Sequence, residues 1–133
     1  MANPDDLARA KAGDKELSRT NLSDANLSGI DLSGAVLNNA NLRRVNLSGA
    51  RLSNSVLSGA DLSGADLSGV KMDGNTNVSG TNFSRASFDG ADIYYIKADL
   101  RNKANLDGAV MPYDWDRSPT YIDNAPAEPC RSE

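Results

Sequence analysis

Leucine recurs at every fifth residue from Leu17 to Leu67, and Met72 closes the run. Eleven of the fourteen leucines share that one phase. A period of five fits neither the 3.6-residue turn of a helix nor the two-residue alternation of a strand. A helix would spread these side chains around its circumference, and a strand would send them to alternate faces. The pattern requires a short extended piece, a corner and another short piece, many times over.

The remaining positions of the unit are nearly as regular. Two residues before the centre stand small apolar side chains such as Ala25, Ala35, Val45, Ala60 and Val70. One residue before it stand Asn21, Asn26, Asp31, Asn41, Asn46, Asp61 and Asp66, and serine usually follows the centre. Ten of the eleven glycines occupy the next position, from Gly29 to Gly108. Glycine there suits a corner that needs positive φ, as at the third residue of a type II turn. Asp24, Arg44 and Arg85 at equivalent places predict that some corners are of another type. The register slips by one residue at Gly74-Asn75-Thr76-Asn77 and resumes on Val78, Phe83, Phe88 and Ile93. Looser units follow on Leu100, Leu106 and Met111.

Stretches such as Ala60-Asp61-Leu62-Ser63-Gly64 and Ala65-Asp66-Leu67-Ser68-Gly69 resemble the A(D/N)LxX unit of pentapeptide-repeat proteins, over roughly residues 15–112. The resemblance implies an all-β solenoid, a right-handed quadrilateral parallel β-helix with four pentads per coil and four to five coils. It also makes a cyanobacterial source a reasonable expectation. Composition alone argues less for a fold: Leu, Ile, Val and Phe supply 26 of 133 residues, near the level at which chains stay disordered. The repeat reconciles the two. A coil would bury about four large side chains at roughly 1.5–3 kcal/mol each, while ordering its residues costs a comparable amount or more. Coils should therefore be stable only as a stack.

A stack needs closed ends. Residues 1–14 predict a short helical cap, with Asn3 as N-cap, Pro4 at the first helical position, Asp5 and Asp6 facing the dipole and Gly13 as the stop. Leu7 is expected over the first coil. Residues 113–133 predict an aromatic C-terminal cap, with Tyr113, Trp115 and Tyr121 plugging the last coil, followed by a Pro-rich flexible tail carrying the only cysteine, Cys130.

The inventory excludes much chemistry. The chain has no histidine, hence neither the commonest general base nor the commonest metal ligand. One cysteine allows neither an intramolecular disulfide nor a Cys₄ zinc site. No cofactor, no metal, no small-molecule substrate and no catalytic residue are expected, so the chain reads as a non-enzyme. No apolar run approaches the ~18 residues of a membrane span, and the first residues lack a signal-peptide pattern. These features point to the cytoplasm and leave a processed exported form open.

Charge is distributed unevenly. The net charge of −4 arises at the two ends, because residues 15–112 hold ten acids and ten bases. Some pentapeptide-repeat proteins mimic duplex DNA and inhibit type II topoisomerases such as gyrase. That activity calls for a sustained acidic stripe, which this sequence lacks. Twenty-residue stacking places Asp31, Arg51, Lys71 and Asp92 in one mutually offsetting column. It brings Arg43, Arg44 and Arg85 to one side, and Tyr94 and Tyr95 form an exposed-looking aromatic pair. These five residues are the candidate interaction surface of a rigid protein-binding scaffold. The expected partner is an unidentified protein rather than nucleic acid or membrane, and the chain is expected to be a monomer.

Overall fold

The computed structural model describes residues 1–113 and residue 115. From Glu16 onward the chain pairs with itself at a separation of 20 residues: Glu16 with Val36, Asn21 with Asn41, Asn26 with Asn46 and Asp31 with Arg51. Each pairing is a single parallel bridge, and the bridged residue precedes a central apolar one. The 20-residue length between stacked residues is called a tier below. Three backbone bonds join each side of a tier to the next. Leu22 N–H donates to the Asn41 carbonyl at 2.8 Å, Asn41 N–H to the Thr20 carbonyl at 2.8 Å, and Asp24 N–H to the Arg43 carbonyl at 2.9 Å. A fourth bond, from Ala25 N–H to the Leu22 carbonyl at 3.2 Å, closes the turn within the unit. The corner thus interrupts each extended piece, and no longer strand forms among the described residues.

The central side chains point inward. Every leucine from Leu17 to Leu67 is at most 2 % exposed, and Met72, Val78, Phe83, Phe88 and Ile93 continue the same core. Phe83 and Phe88 stand on adjacent sides with ring centroids 5.1 Å apart, edge to face. Where the small position carries a hydroxyl, a carbonyl satisfies it. Thr20 donates to Leu17 at 2.7 Å, Ser55 to Leu52 at 2.6 Å, Thr76 to Leu52 at 2.9 Å and Thr81 to Leu57 at 2.7 Å. Buried polar groups so paired do not weaken the core.

The corners differ from the sequence expectation. Asp24, Arg44 and Arg85 adopt φ of 63°, 55° and 58°, and Arg19, Asn39 and Asn54 do likewise, so they form the same left-handed corner as the glycines. The tier-to-tier bonds fix the corner geometry, and a non-glycine residue takes the backbone strain. Gly74 is the exception among the corner glycines, because it lies in the register slip. There the bridge separation grows to 21 residues, as in Val56 with Asn77. The Asp73 carboxylate gathers the loosened backbone, accepting from Asn54 N–H at 3.3 Å and Asn75 N–H at 3.1 Å.

A second interruption corrects the reading of Leu100. Leu100 centres no pentad; it lies on helix α2 (Lys97–Lys103), entered through a 3₁₀ turn, Tyr94–Ile96. Tyr94-Tyr95 stands where the repeat offers Ser-Gly, so the corner residue is lost, and Lys97 and Leu100 then bury one helical face. Bridging resumes at Asn105 with Asn82 and at Val110 with Ser87.

At the start, helix α1 (Pro4–Lys11) is capped by the Asn3 side chain, which accepts from Asp5 N–H at 2.9 Å and Asp6 N–H at 3.1 Å. Ala10 is its fully buried residue, and Leu7 packs half-buried on the core. At the other end Trp115 is buried in the core, whereas Tyr113 is 85 % exposed. Tyr121 and Cys130 lie outside the described residues.

Candidate interaction surface

Three positions of each unit reach the surface: the residue before the centre, the residue after it, and the corner. Where the first is Asn or Asp, it is committed to structure. Its side-chain oxygen accepts the N–H two residues on, as in Asn26 to Ser28 at 3.2 Å, Asn46 to Ser48 at 3.0 Å, Asp61 to Ser63 at 3.0 Å and Asp66 to Ser68 at 3.0 Å. That N–H lies on the outer side of the turn and has no place in the tier-to-tier ladder, so an Asx turn satisfies it. Asparagine and aspartate serve equally. This role escaped the sequence reading, although the fixed spacing of Asn/Asp before serine carries its signal.

The Asp31 carboxyl is held below the usual carboxylate range by the Ser33 hydroxyl and then by Ser33 N–H. Asp14 is lowered by Glu16 N–H first and by Arg9 second. Both effects belong to capping carboxylates at the surface.

Arg43 follows a centre, and Arg44 occupies the corner beside it. Above Arg44 the same corner column continues with Gly64, Arg85 and Gly108, joined by bonds from Arg44 N–H to Ser63, Gly64 N–H to Ser84 and Arg85 N–H to Asp107. The three arginines therefore share one edge of the stack. Arg44 grips Asp24 in the tier below with two bonds, at 2.8 and 3.2 Å. The Arg44 guanidinium holds the Asp24 carboxyl below its ordinary range, and Asp24 in return raises Arg44. Arg43 stands 4.0 Å from Asp61. The edge is thus a ladder of compensated pairs with Arg85 above it. Asp31, Arg51, Lys71 and Asp92 are consecutive bridge partners in one column.

The two tyrosines are elsewhere, beyond the side centred on Ile93, so the five candidate residues form no single patch. Tyr94 is half-buried, its ring 6.4 Å from that of Trp115, while Tyr95 is 60 % exposed. The Trp115 ring also receives the Lys97 ammonium at 5.2 Å and the Arg101 guanidinium at 5.4 Å. Lys97 is 3 % exposed and donates to the Trp115 carbonyl. Tyr94, Lys97, Arg101 and Trp115 thus form one packed aromatic–cation cluster.

Among the described residues no group of three or more His, Cys, Asp or Glu is placed to hold a metal ion, and no helix is long and apolar enough to cross a membrane. A shallow recess of about 240 Å³ opens beside Lys11 and Asn26 to Ile30.

The sequence matches the family model for pentapeptide repeats in eight copies, over residues 6–39, 35–74 and 74–102. A pentapeptide repeat protein from the cyanobacterium Cyanothece 51142 is similar in structure, with 33 % identity, 74 % of this chain and 61 % of that one covered, and a TM-score of 0.57. A pentapeptide repeat protein of the Arabidopsis thaliana thylakoid lumen is similar at 29 % identity, covering 71 % and 59 % of the two chains, with a TM-score of 0.56. The chain thus spans about three fifths of the length of each of these two relatives. No curated protein matches it.

Proposed function

This chain belongs to the pentapeptide-repeat family, and we propose that it is a non-enzymatic, rigid protein-interaction module. In this reading residues 15–112 form a right-handed quadrilateral β-helix of four to five coils, residues 1–14 its N-terminal cap, and residues 113–133 its C-terminal cap and tail. The observation that carries the proposal is the saturation of the sides. Their backbone groups are spent on tier-to-tier bonds and their Asn and Asp residues on Asx turns, leaving walls on which the described residues offer a shallow recess rather than a deep cleft to desolvate a reacting group. Flat, rigid surfaces can recognise a partner without an ordering cost on this side of the interface.

The working face in this reading is the edge bearing Arg43, Arg44 and Arg85. Capture of a specific partner by the full chain, lost in an Arg43→Glu/Arg44→Glu variant, supports it; capture indifferent to that variant removes this edge. A DNA-mimic reading has less support, because the acidic residues of the sides are interspersed with asparagine and capped by backbone. Potent inhibition of gyrase supercoiling by the full chain would nevertheless replace the scaffold reading with mimicry.

A further inference from the structure

Among the described residues, the two ends of the stack carry complementary sets of unused backbone groups. At the lower end most of the edge is stoppered by the cap. Asn21 N–H donates to Asp6 at 2.9 Å, and the Asn21 carbonyl accepts from Asn3 N–H at 2.9 Å. Glu16 N–H donates to Asp14 at 2.9 Å, the Glu16 carbonyl accepts from Arg9, and Lys15 donates to the Asp31 carbonyl at 2.8 Å. The Leu32 side keeps its Asp31 N–H and Ser33 carbonyl without a partner among the described residues. The side left most open is that of Leu27. There the Asn26 N–H, the Asn26 carbonyl and the Ser28 carbonyl have no partner among the described residues. This is the side that borders the recess of about 240 Å³, with Lys11 beside it.

At the upper end the unit on Leu106 is the last of its column among the described residues. The Leu106 N–H, the Ala104 carbonyl and the Gly108 N–H have no partner among the described residues. Each side inside the stack is joined by a centre N–H to a carbonyl above, a returning N–H, and a corner N–H to a second carbonyl. The free groups of the two ends supply that same triplet: Leu106 N–H for the Asn26 carbonyl, Asn26 N–H for the Ala104 carbonyl, and Gly108 N–H for the Ser28 carbonyl. In that register Asp107, after the centre, stands against Ser28, a residue of the recess that Lys11 lines. Lys11 and Asp107 are both exposed, and neither makes an ion pair among the described residues.

We infer that a second copy of this chain docks head to tail, the Asn105–Gly108 corner of one molecule adding to the open Leu27 side of the next, with Asp107 of one paired to Lys11 of the other. The occupant is chosen by complementarity, since this end of the chain offers all three bonds and the opposite charge. The contact is heterologous and therefore open-ended. Its single bridged side is far smaller than a stable interface, so association is weak and dependent on concentration and salt. The inference stands on the tier geometry and is independent of which protein the walls bind.

Sedimentation equilibrium of the full chain over a concentration series tests it. The weight-average mass should climb with concentration, while Lys11→Glu alone and Asp107→Lys alone should each stay at monomer mass with an unchanged circular dichroism spectrum. An equimolar mixture of the two variants should regain the climb, because each then meets its complement. A chain that stays monomeric throughout, association that survives in either single variant, or a mixture that remains monomeric would each overturn the proposal.

Discussion

Gly59 sits directly over Asn39 in one corner column, and this pair offers a quantitative test of how corners constrain the sequence. Both residues have positive φ, 72° and 61°. A Cβ built on Gly59 would lie 2.3 Å from Asn39 Oδ1 and 3.3 Å from its Cγ. At Gly49, with φ of 70°, a Cβ meets nothing within 4 Å. Gly49→Ala should therefore cost only the left-handed strain, about 1–2 kcal/mol. Gly59→Ala carries the same strain and must also push the Asn39 side chain from its rotamer, which adds about 0.5–1.5 kcal/mol. In an Asn39→Gly background the added part disappears, so the two alanine substitutions should then cost the same. Urea unfolding followed by circular dichroism reads the differences, with midpoints compared at a common slope. Equal losses for Gly49→Ala and Gly59→Ala in the parent chain, or a Gly59→Ala penalty unchanged by Asn39→Gly, would refute the stacking argument.

Other substitutions probe the core, the turns and the charged edge. Leu47, fully buried, should lose about 2–5 kcal/mol on truncation to alanine, and Leu47→Asp should unfold several tiers together; calorimetry showing an unchanged transition for Leu47→Asp would contradict the inward assignment. Asn46→Asp should leave the urea midpoint almost unmoved, whereas Asn46→Leu should cost about 0.5–1.5 kcal/mol through the unsatisfied Ser48 N–H. Asp24 has a folded pKa below its unfolded one, so its contribution is fully present above the unfolded value and fades as pH falls through the lowered folded value. The fall in urea midpoint on acidification through the carboxylate range should accordingly be smaller in Asp24→Asn than in the parent chain.

The repeat was legible because each of its positions answers one physical demand: burial at the centre, small volume two residues earlier, positive φ at the corner. The breaks were harder to read. Ala98 and Leu100 keep the expected spacing, yet the spacing carries no register without a corner residue, and Tyr94-Tyr95 removed it. The slip at Gly74 was visible as an extra residue, whereas Asp73 gathering Asn54 and Asn75 required the fold. Twenty-residue stacking sets Asp24, Arg44 and Arg85 in one corner column, so the Arg44–Asp24 pair follows from the same spacing, whereas Asp61 reaches Arg43 from a different position of the tier above. Trp115 settles against the cationic helix face of Lys97 and Arg101, a partner that no spacing in the sequence announces.

These constraints narrow where specificity can be written on such a fold. An Asn or Asp before a centre is committed to its Asx turn, and the corner must tolerate a left-handed backbone. A corner side chain can also crowd a Cβ above it, as Asn39 does at Gly59 and Arg44 at Gly64, where a Cβ would lie 3.2 Å from Arg44 Cγ. Asn39 above Arg19 and Arg44 above Asp24 nevertheless show that non-glycine corners can stack. The residue after the centre is free of these demands, although serine fills it in most units, and so is the residue before the centre where it is not Asn or Asp, as at Arg51 and Lys71. Arg43 departs from serine there, and Tyr95 and Tyr113 stand outside the regular units altogether. A recognition surface that evolves on this stack can therefore be assembled from non-Asx residues before the centre such as Arg51 and Lys71, from departures after the centre, from the helical interruption and from the ends. Substitutions confined to the Asn/Asp columns should change stability before they change binding.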